Sequence, residues 1–123
     1  MTTRPSIADT HLIDEFRDRL AAARLRLART VATTDEDLEA LAARESRETA
    51  EDAATGMVGD LLARLQGQER HELDEVDAAQ ARLEAGLFGV CEGCHHPIPL
   101  ARLRAMPAAR LCTICQDRTE AAG

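Results

Sequence analysis

Residues 86–116 read Gly86-Leu-Phe-Gly-Val-Cys91-Glu-Gly-Cys94-His-His-Pro-Ile-Pro-Leu-Ala-Arg-Leu-Arg-Ala-Met-Pro-Ala-Ala-Arg-Leu-Cys112-Thr-Ile-Cys115-Gln116. Two Cys-x-x-Cys pairs, Cys91/Cys94 and Cys112/Cys115, stand 17 residues apart. Each pair offers two thiolates from one tight turn. Two such turns complete the tetrahedron that Zn2+ accepts, so one structural Zn2+ per chain is expected. Four thiolates close the shell and leave no position for a reactive water. No nucleophile–base pair stands elsewhere, and no enzyme is expected. Gly93 is expected to ease the first turn. His95 and His96 follow directly, but with the shell filled they read as surface or supporting hydrogen-bonding groups. The rival chemistry is disulfide formation. The start, Met1-Thr-Thr-Arg-Pro-Ser6, leads into an acid-containing segment rather than an apolar one, so no export signal and a cytoplasmic protein are expected.

Working upstream, apolar positions run Ile13, Phe16, Leu20, Ala23, Leu27, Thr30 or Val31, Thr34, Leu38 and Leu41. Their steps alternate between three and four, which is the spacing of a coiled-coil seam. The stretch Thr33-Thr34-Asp35-Glu36-Asp37 weakens that seam, and a fresh N-cap at Thr33 or Thr34 would break the helix there. A second seam runs Val58, Leu61/Leu62, Leu65, Glu69, Leu73, Val76, Ala79, Leu83 and Leu87. Two matched helical stretches with a short link predict an antiparallel hairpin, roughly 40 Å long at the rise of an α-helix. Residues 1–8 read as a flexible leader. Residues 9–85 read as the coiled-coil hairpin, with its tip near 45–56, where no bulky apolar residue occurs. Residues 86–123 read as a C4 zinc finger with a short helix over Leu100–Ala105 and a last one from about Thr113 to Ala121. The fold class is mainly α.

The composition agrees. The 123 residues include no Trp, no Tyr and two Phe, so an aromatic-rich core and an all-β sandwich are excluded. All 15 basic residues are Arg. The net charge of -7 is uneven: residues 30–90 hold five Arg against 15 acids, while both flanks are slightly basic. That acidic middle disfavours wrapping duplex DNA and suits a partner with a positive groove. No 18-residue apolar run occurs, so no membrane span is expected.

The residues quoted first also closely resemble the DksA/TraR family zinc finger. The features that carry the resemblance are the aromatic-Gly-x-Cys entry, the Pro-Ile-Pro run, the Arg-Leu-x-Ala-x-Pro turn and the Leu-Cys-x-x-Cys exit. The hairpin ahead of them fits the family layout. The resemblance implies a bacterial transcription regulator that binds RNA polymerase directly, without needing DNA. Its coiled coil would enter the secondary channel with an acidic tip near the active site, and some members act together with ppGpp. Active members carry Asp-x-x-Asp-x-Ala at the tip. Counted back from the finger without gaps, those positions fall on Glu48, Glu51 and Ala53, with Asp52 taking an acidic role if the count slips by one. Two other readings stand beside this one. Arg102, Arg104 and Arg110 would meet phosphate in a nucleic-acid-binding zinc module. Alternatively, the chain is a structural coiled-coil protein whose zinc thiolates sense oxidants.

Overall fold

The computed structural model describes residues 10–45 and 53–122, with side chains from 10–44 and 56–122. The described chain is α1 (Thr10–Glu45), α2 (Ala53–Glu84), α3 (Leu100–Ala105) and α4 (Thr113–Ala122). A single isolated bridge, Val90 to Pro97, is the β-type pairing among the described residues. The chain forms two compact units. One takes the residues up to Ala23 and those from Glu75 onward, the other Arg24–Asp74.

In the first unit α1 and α2 run antiparallel. Phe16 and Leu20 of α1 and Ala79 of α2 are fully buried, with Val76 and Leu83 nearly so. Phe88 joins them from beyond α2, its ring tilted against Phe16 with centroids 5.3 Å apart. Both Phe side chains of the protein therefore meet at one point, where aromatic area contributes most to burial. Ile98 and Leu103 complete this core from the finger side.

The end of α2 explains why Phe88 and not Leu87 turns inward. The Leu87 N–H donates to the Arg82 carbonyl at 2.8 Å and the Gly86 N–H to the Leu83 carbonyl at 3.2 Å. This paired closure needs a left-handed residue, and Gly86 supplies it at φ 76°. The helical period stops there, so the seam does not extend to Leu87, which is 61% exposed.

In the second unit the helices are again antiparallel, with Thr34 facing Glu69 and Asp35 facing Gln66 and Arg70. The first seam holds throughout: Val31 and Thr34 are buried, while Leu27, Leu38 and Leu41 are half-buried. Thr30 is exposed, which settles the choice at that position for Val31. The expected break near Thr33 does not occur, because α1 runs unbroken to Glu45. Thr30 and Thr33 each donate their hydroxyl to the carbonyl four residues back, at 3.0 Å, while the Thr34 hydroxyl is taken by Glu69 across the seam. The hydroxyls thus serve the helix instead of capping a new one.

The second seam differs from its expected course. Stepping by three and four from Leu73 through Glu69 leads to Gln66 and Leu62, and these are the half-buried positions. Leu65, Leu61 and Val58 lie off that line and are exposed. Steps of three and four back from Glu69 reach Gln66 and Leu65 alike, and it is Gln66 that meets Asp35 of α1.

Thr34 and Glu69, the buried polar members of the seams, meet each other. The Thr34 hydroxyl lies 2.8 and 3.2 Å from the two Glu69 carboxylate oxygens, and both residues are buried. Asp35 accepts from the Gln66 amide and, at 2.8 Å, from Arg70. Thr34→Val should therefore destabilise the protein by about 1–3 kcal/mol, since it strands a buried carboxylate. Adding Glu69→Leu should recover most of that loss, and a denaturant-melt double-mutant cycle measures the difference. Gly67 lies in the interior of α2, exposed, where an added Cβ meets nothing within 4 Å. Gly67→Ala should stabilise the fold by about 1 kcal/mol, seen as a raised melting midpoint.

Candidate metal centre

The centre is assembled from two turns. In the first, the Cys91 N–H donates to the His96 carbonyl and the His95 N–H to the Cys91 carbonyl, both at 2.9 Å. The chain reverses through His95, which takes a left-handed φ of 63°. The reversal is fastened below by the Ile98 N–H on the Gly89 carbonyl at 2.7 Å. In the second turn Cys112 precedes α4 and Cys115 lies within its first turn. The Gln116 N–H donates back to the Cys112 carbonyl at 2.9 Å.

These turns bring the Sγ atoms of Cys91, Cys94, Cys112 and Cys115 within 4.8 Å of one another. Cys94 Sγ and Cys112 Sγ are 3.9 Å apart, and all four cysteines are free thiols. A tetrahedron with Zn–S near 2.3 Å has edges of roughly 3.8 Å, so the spacing fits zinc. Cys91 and Cys115 are buried, while Cys94 and Cys112 are partly exposed.

The electrostatics ask for a cation. Burial opposes ionisation of Cys91, but backbone N–H groups of Cys112, Cys94 and Gly93 donate to its sulfur and bring it down to about 6. The Cys112 N–H stands 3.3 Å from that sulfur. Cys115 is pushed the other way, to about 12, by the adjoining Cys112 and Cys91 thiols and by burial. Four thiolates cannot accumulate in this space unaided, and a bound dication allows them all to ionise. The centre is one structural C4 zinc site.

Gly93 holds its place for a reason other than turn flexibility. Its φ is not in the left-handed range, but a Cβ there would lie 3.0 Å from Cys115 Sγ and 3.2 Å from Cys115 Cβ. The glycine lets the two turns close on each other. His95 and His96 are exposed, outside the four-sulfur cluster.

The finger's arginines act as braces. Arg110 donates to both Glu75 carboxylate oxygens, at 2.5 and 3.1 Å, and to Glu92 at 3.0 Å. Its carbonyl accepts the Glu92 N–H at 2.8 Å. It thereby ties α2 and both halves of the finger together. Arg102 donates to the Leu111 carbonyl at 2.8 Å, one residue before Cys112. Arg104 reaches Glu15 of α1 at 3.2 Å and holds that carboxyl below the usual carboxylate range. Sequence reasoning grouped these three arginines but did not find their acceptors. Glu75 lies 35 residues from Arg110, and no local spacing signals that pairing.

The tip residues Glu48, Glu51 and Asp52 lie outside the described residues. Ala53 opens α2, with its side chain outside them as well.

With the site in place, comparison with known proteins is specific. Residues 86–121 match the prokaryotic dksA/traR C4-type zinc finger family. The structure of transcription factor DksA2 from Pseudomonas aeruginosa superposes with a TM-score of 0.82 at 31% identity, covering 93% of this chain and 87% of that one. An uncharacterised 8.5 kDa protein of Escherichia phage 186 is 42% identical over 59 residues, 48% of this chain and 77% of its own. The RNA polymerase-binding transcription factor DksA of Caulobacter vibrioides is 38% identical over 60 residues, 49% of this chain. That match spans 42% of the Caulobacter protein's length. The chain belongs to the DksA/TraR family of C4 zinc-finger proteins. Among the described residues no helix is long and apolar enough to cross a membrane.

Gly93→Ala tests the close approach. The added methyl must displace Cys115 Sγ, a zinc ligand, so zinc retention against a competing chelator should fall on the order of tenfold or more. Zinc content by mass spectrometry, one ion per wild-type chain, is the companion measurement.

Proposed function

We propose that the protein is a cytoplasmic bacterial transcription regulator that binds RNA polymerase directly. The observation that carries this is the likeness to DksA2, a transcription factor, over 93% of the chain and at 31% identity. The polymerase-binding Caulobacter relative supports it over 60 residues, 49% of this chain. In this reading the hairpin, residues 9–85, enters the secondary channel of the polymerase. The finger, residues 86–123, rests on the rim. Glu48, Glu51 and Asp52 act at the tip beside Ala53, near the active site, where carboxylates perturb polar groups or Mg2+. The complex is also where ppGpp would act. The protein contributes recognition and charge rather than catalysis, and its zinc is structural.

The arginines support protein rather than nucleic acid as the partner. Phosphate recognition needs cations available to the ligand. Arg102, Arg104 and Arg110 are instead hydrogen-bonded to Leu111, Glu15, Glu75 and Glu92 of the same chain.

A pull-down with purified core polymerase should show binding at micromolar concentration, about -8 kcal/mol or tighter. In vitro transcription should then change on adding the wild type. The Glu48→Ala, Glu51→Ala double variant should still bind but lose the transcriptional effect. Absence of micromolar binding by the wild type overturns the proposal. Equal effects of wild type and variant on transcription overturn the assignment of the tip.

A further inference from the structure

Met57, Leu61 and Leu65 stand four residues apart on α2, with Val58 beside them. They are 74%, 65%, 43% and 48% exposed. Residues at this spacing form one stripe, here about 12 Å long. The stripe lies beside the α1–α2 seam and not in it, since Leu62, Gln66 and Glu69 are the positions turned toward α1. Among the described residues of this unit these four and Leu25 are the exposed large apolar side chains. A row of large apolar side chains left in water marks a docking surface.

The surrounding charge selects the occupant. The antiparallel register set by Asp35 with Gln66 carries residues 36–44 of α1 alongside residues 65–57 of α2. Exposed Glu36, Asp37, Glu39 and Asp60 there outnumber Arg44 and Arg64. An anionic membrane surface or a nucleic-acid backbone is repelled by that charge. A second copy of the same acidic end is repelled as well. An apolar row of one-turn spacing with acidic borders is complementary to a helix that carries an apolar stripe between basic residues.

We propose that Met57, Val58, Leu61 and Leu65 form the docking strip for a basic amphipathic helix of the protein partner, laid along α2. The proposal rests on the polymerase reading for the partner's identity. It deepens that reading by placing affinity in this strip, apart from the acidic tip.

The test is a triple variant, Met57→Gln, Leu61→Gln and Leu65→Gln, which keeps strong helix formers on exposed positions. Circular dichroism and zinc content confirm that it folds. Wild type and variant are titrated against core polymerase, and a photoreactive side chain at position 61 maps the contact. The expected result is a loss of affinity of tenfold or more, with cross-links on a helical segment rich in Lys and Arg. Affinity within twofold of wild type overturns the strip while leaving the polymerase reading intact. Cross-links on a segment without basic residues overturn it too. Concentration-dependent dimerisation of the wild type that the variant abolishes would assign the strip to a second copy and overturn the proposal. If the wild type itself does not bind polymerase, the reading beneath the proposal fails, and that outcome is distinct from the others.

Discussion

Four cysteine sulfurs held within 4.8 Å of one another set the terms for the rest of the first unit. Thiolates at that distance set up a mutual repulsion. A zinc ion converts it into attraction, and its binding energy becomes folding energy for the segment around it. That segment has little else. Between Gly86 and Thr113 the one regular helix has six residues, and Ile98 and Leu103 are the large side chains fully buried there besides Phe88. The metal fixes the two turns. The Arg102 and Arg110 braces then fix the turns against their own carbonyls and against Glu75 of α2. Small domains with thin cores depend on such staples.

Among its described residues the second unit holds no cluster of metal ligands, and it relies on helix pairing. Two helices bury only a narrow stripe, and most leucines in this one stay half in water. A seam of that kind is weakly selective on hydrophobicity alone, because a shifted register still pairs apolar residues. Thr34 and Glu69 remove that freedom. Any shift that separates them leaves a buried carboxylate without its donor. Asp35 with Gln66 and Arg70 repeats the instruction one turn away. A polar layer in a coiled coil lowers stability in exchange for one register, which a hairpin presenting a defined end requires.

Much of this was legible from residue patterns. The cysteine spacing identified the centre, and the expected spans of α3 and α4 agree with the structure to within a residue. The first seam was read correctly because α1 carries no glycine to blur its period. The second was misread at Val58, Leu65 and Leu87, while of the Leu61/Leu62 alternative Leu62 is the half-buried one; three and four back from Glu69 lead to Gln66 and Leu65 alike, and apolar identity favoured the wrong one. A glutamine in a seam is recognisable only once its partner, Asp35, is known. The purpose of Gly93 was hidden for a similar reason. Its neighbour is Cys115, 22 residues away, and close approach of two distant backbones leaves no local trace. The Arg110–Glu75 pair belongs to the same class. What sequence conveyed was periodicity and ligand spacing, and what it withheld was long-range polar pairing.

The distribution of large apolar side chains then bears on division of labour. Both Phe residues, with Ile98 and Leu103, lie in the unit that holds the zinc. Val31 is the one buried large aliphatic side chain among the described residues of the other unit, which nonetheless exposes Leu25, Met57, Val58, Leu61 and Leu65. If burial alone governed the sequence, those exposed side chains would be polar and Gln66 would be leucine. The reverse arrangement places polar groups where register is fixed and leaves large apolar groups exposed to water. Hydrophobic area withheld from a core is available to a partner, and acidic residues around it restrict which partner that is. The unit poorest in core is thus the one best furnished for recognition.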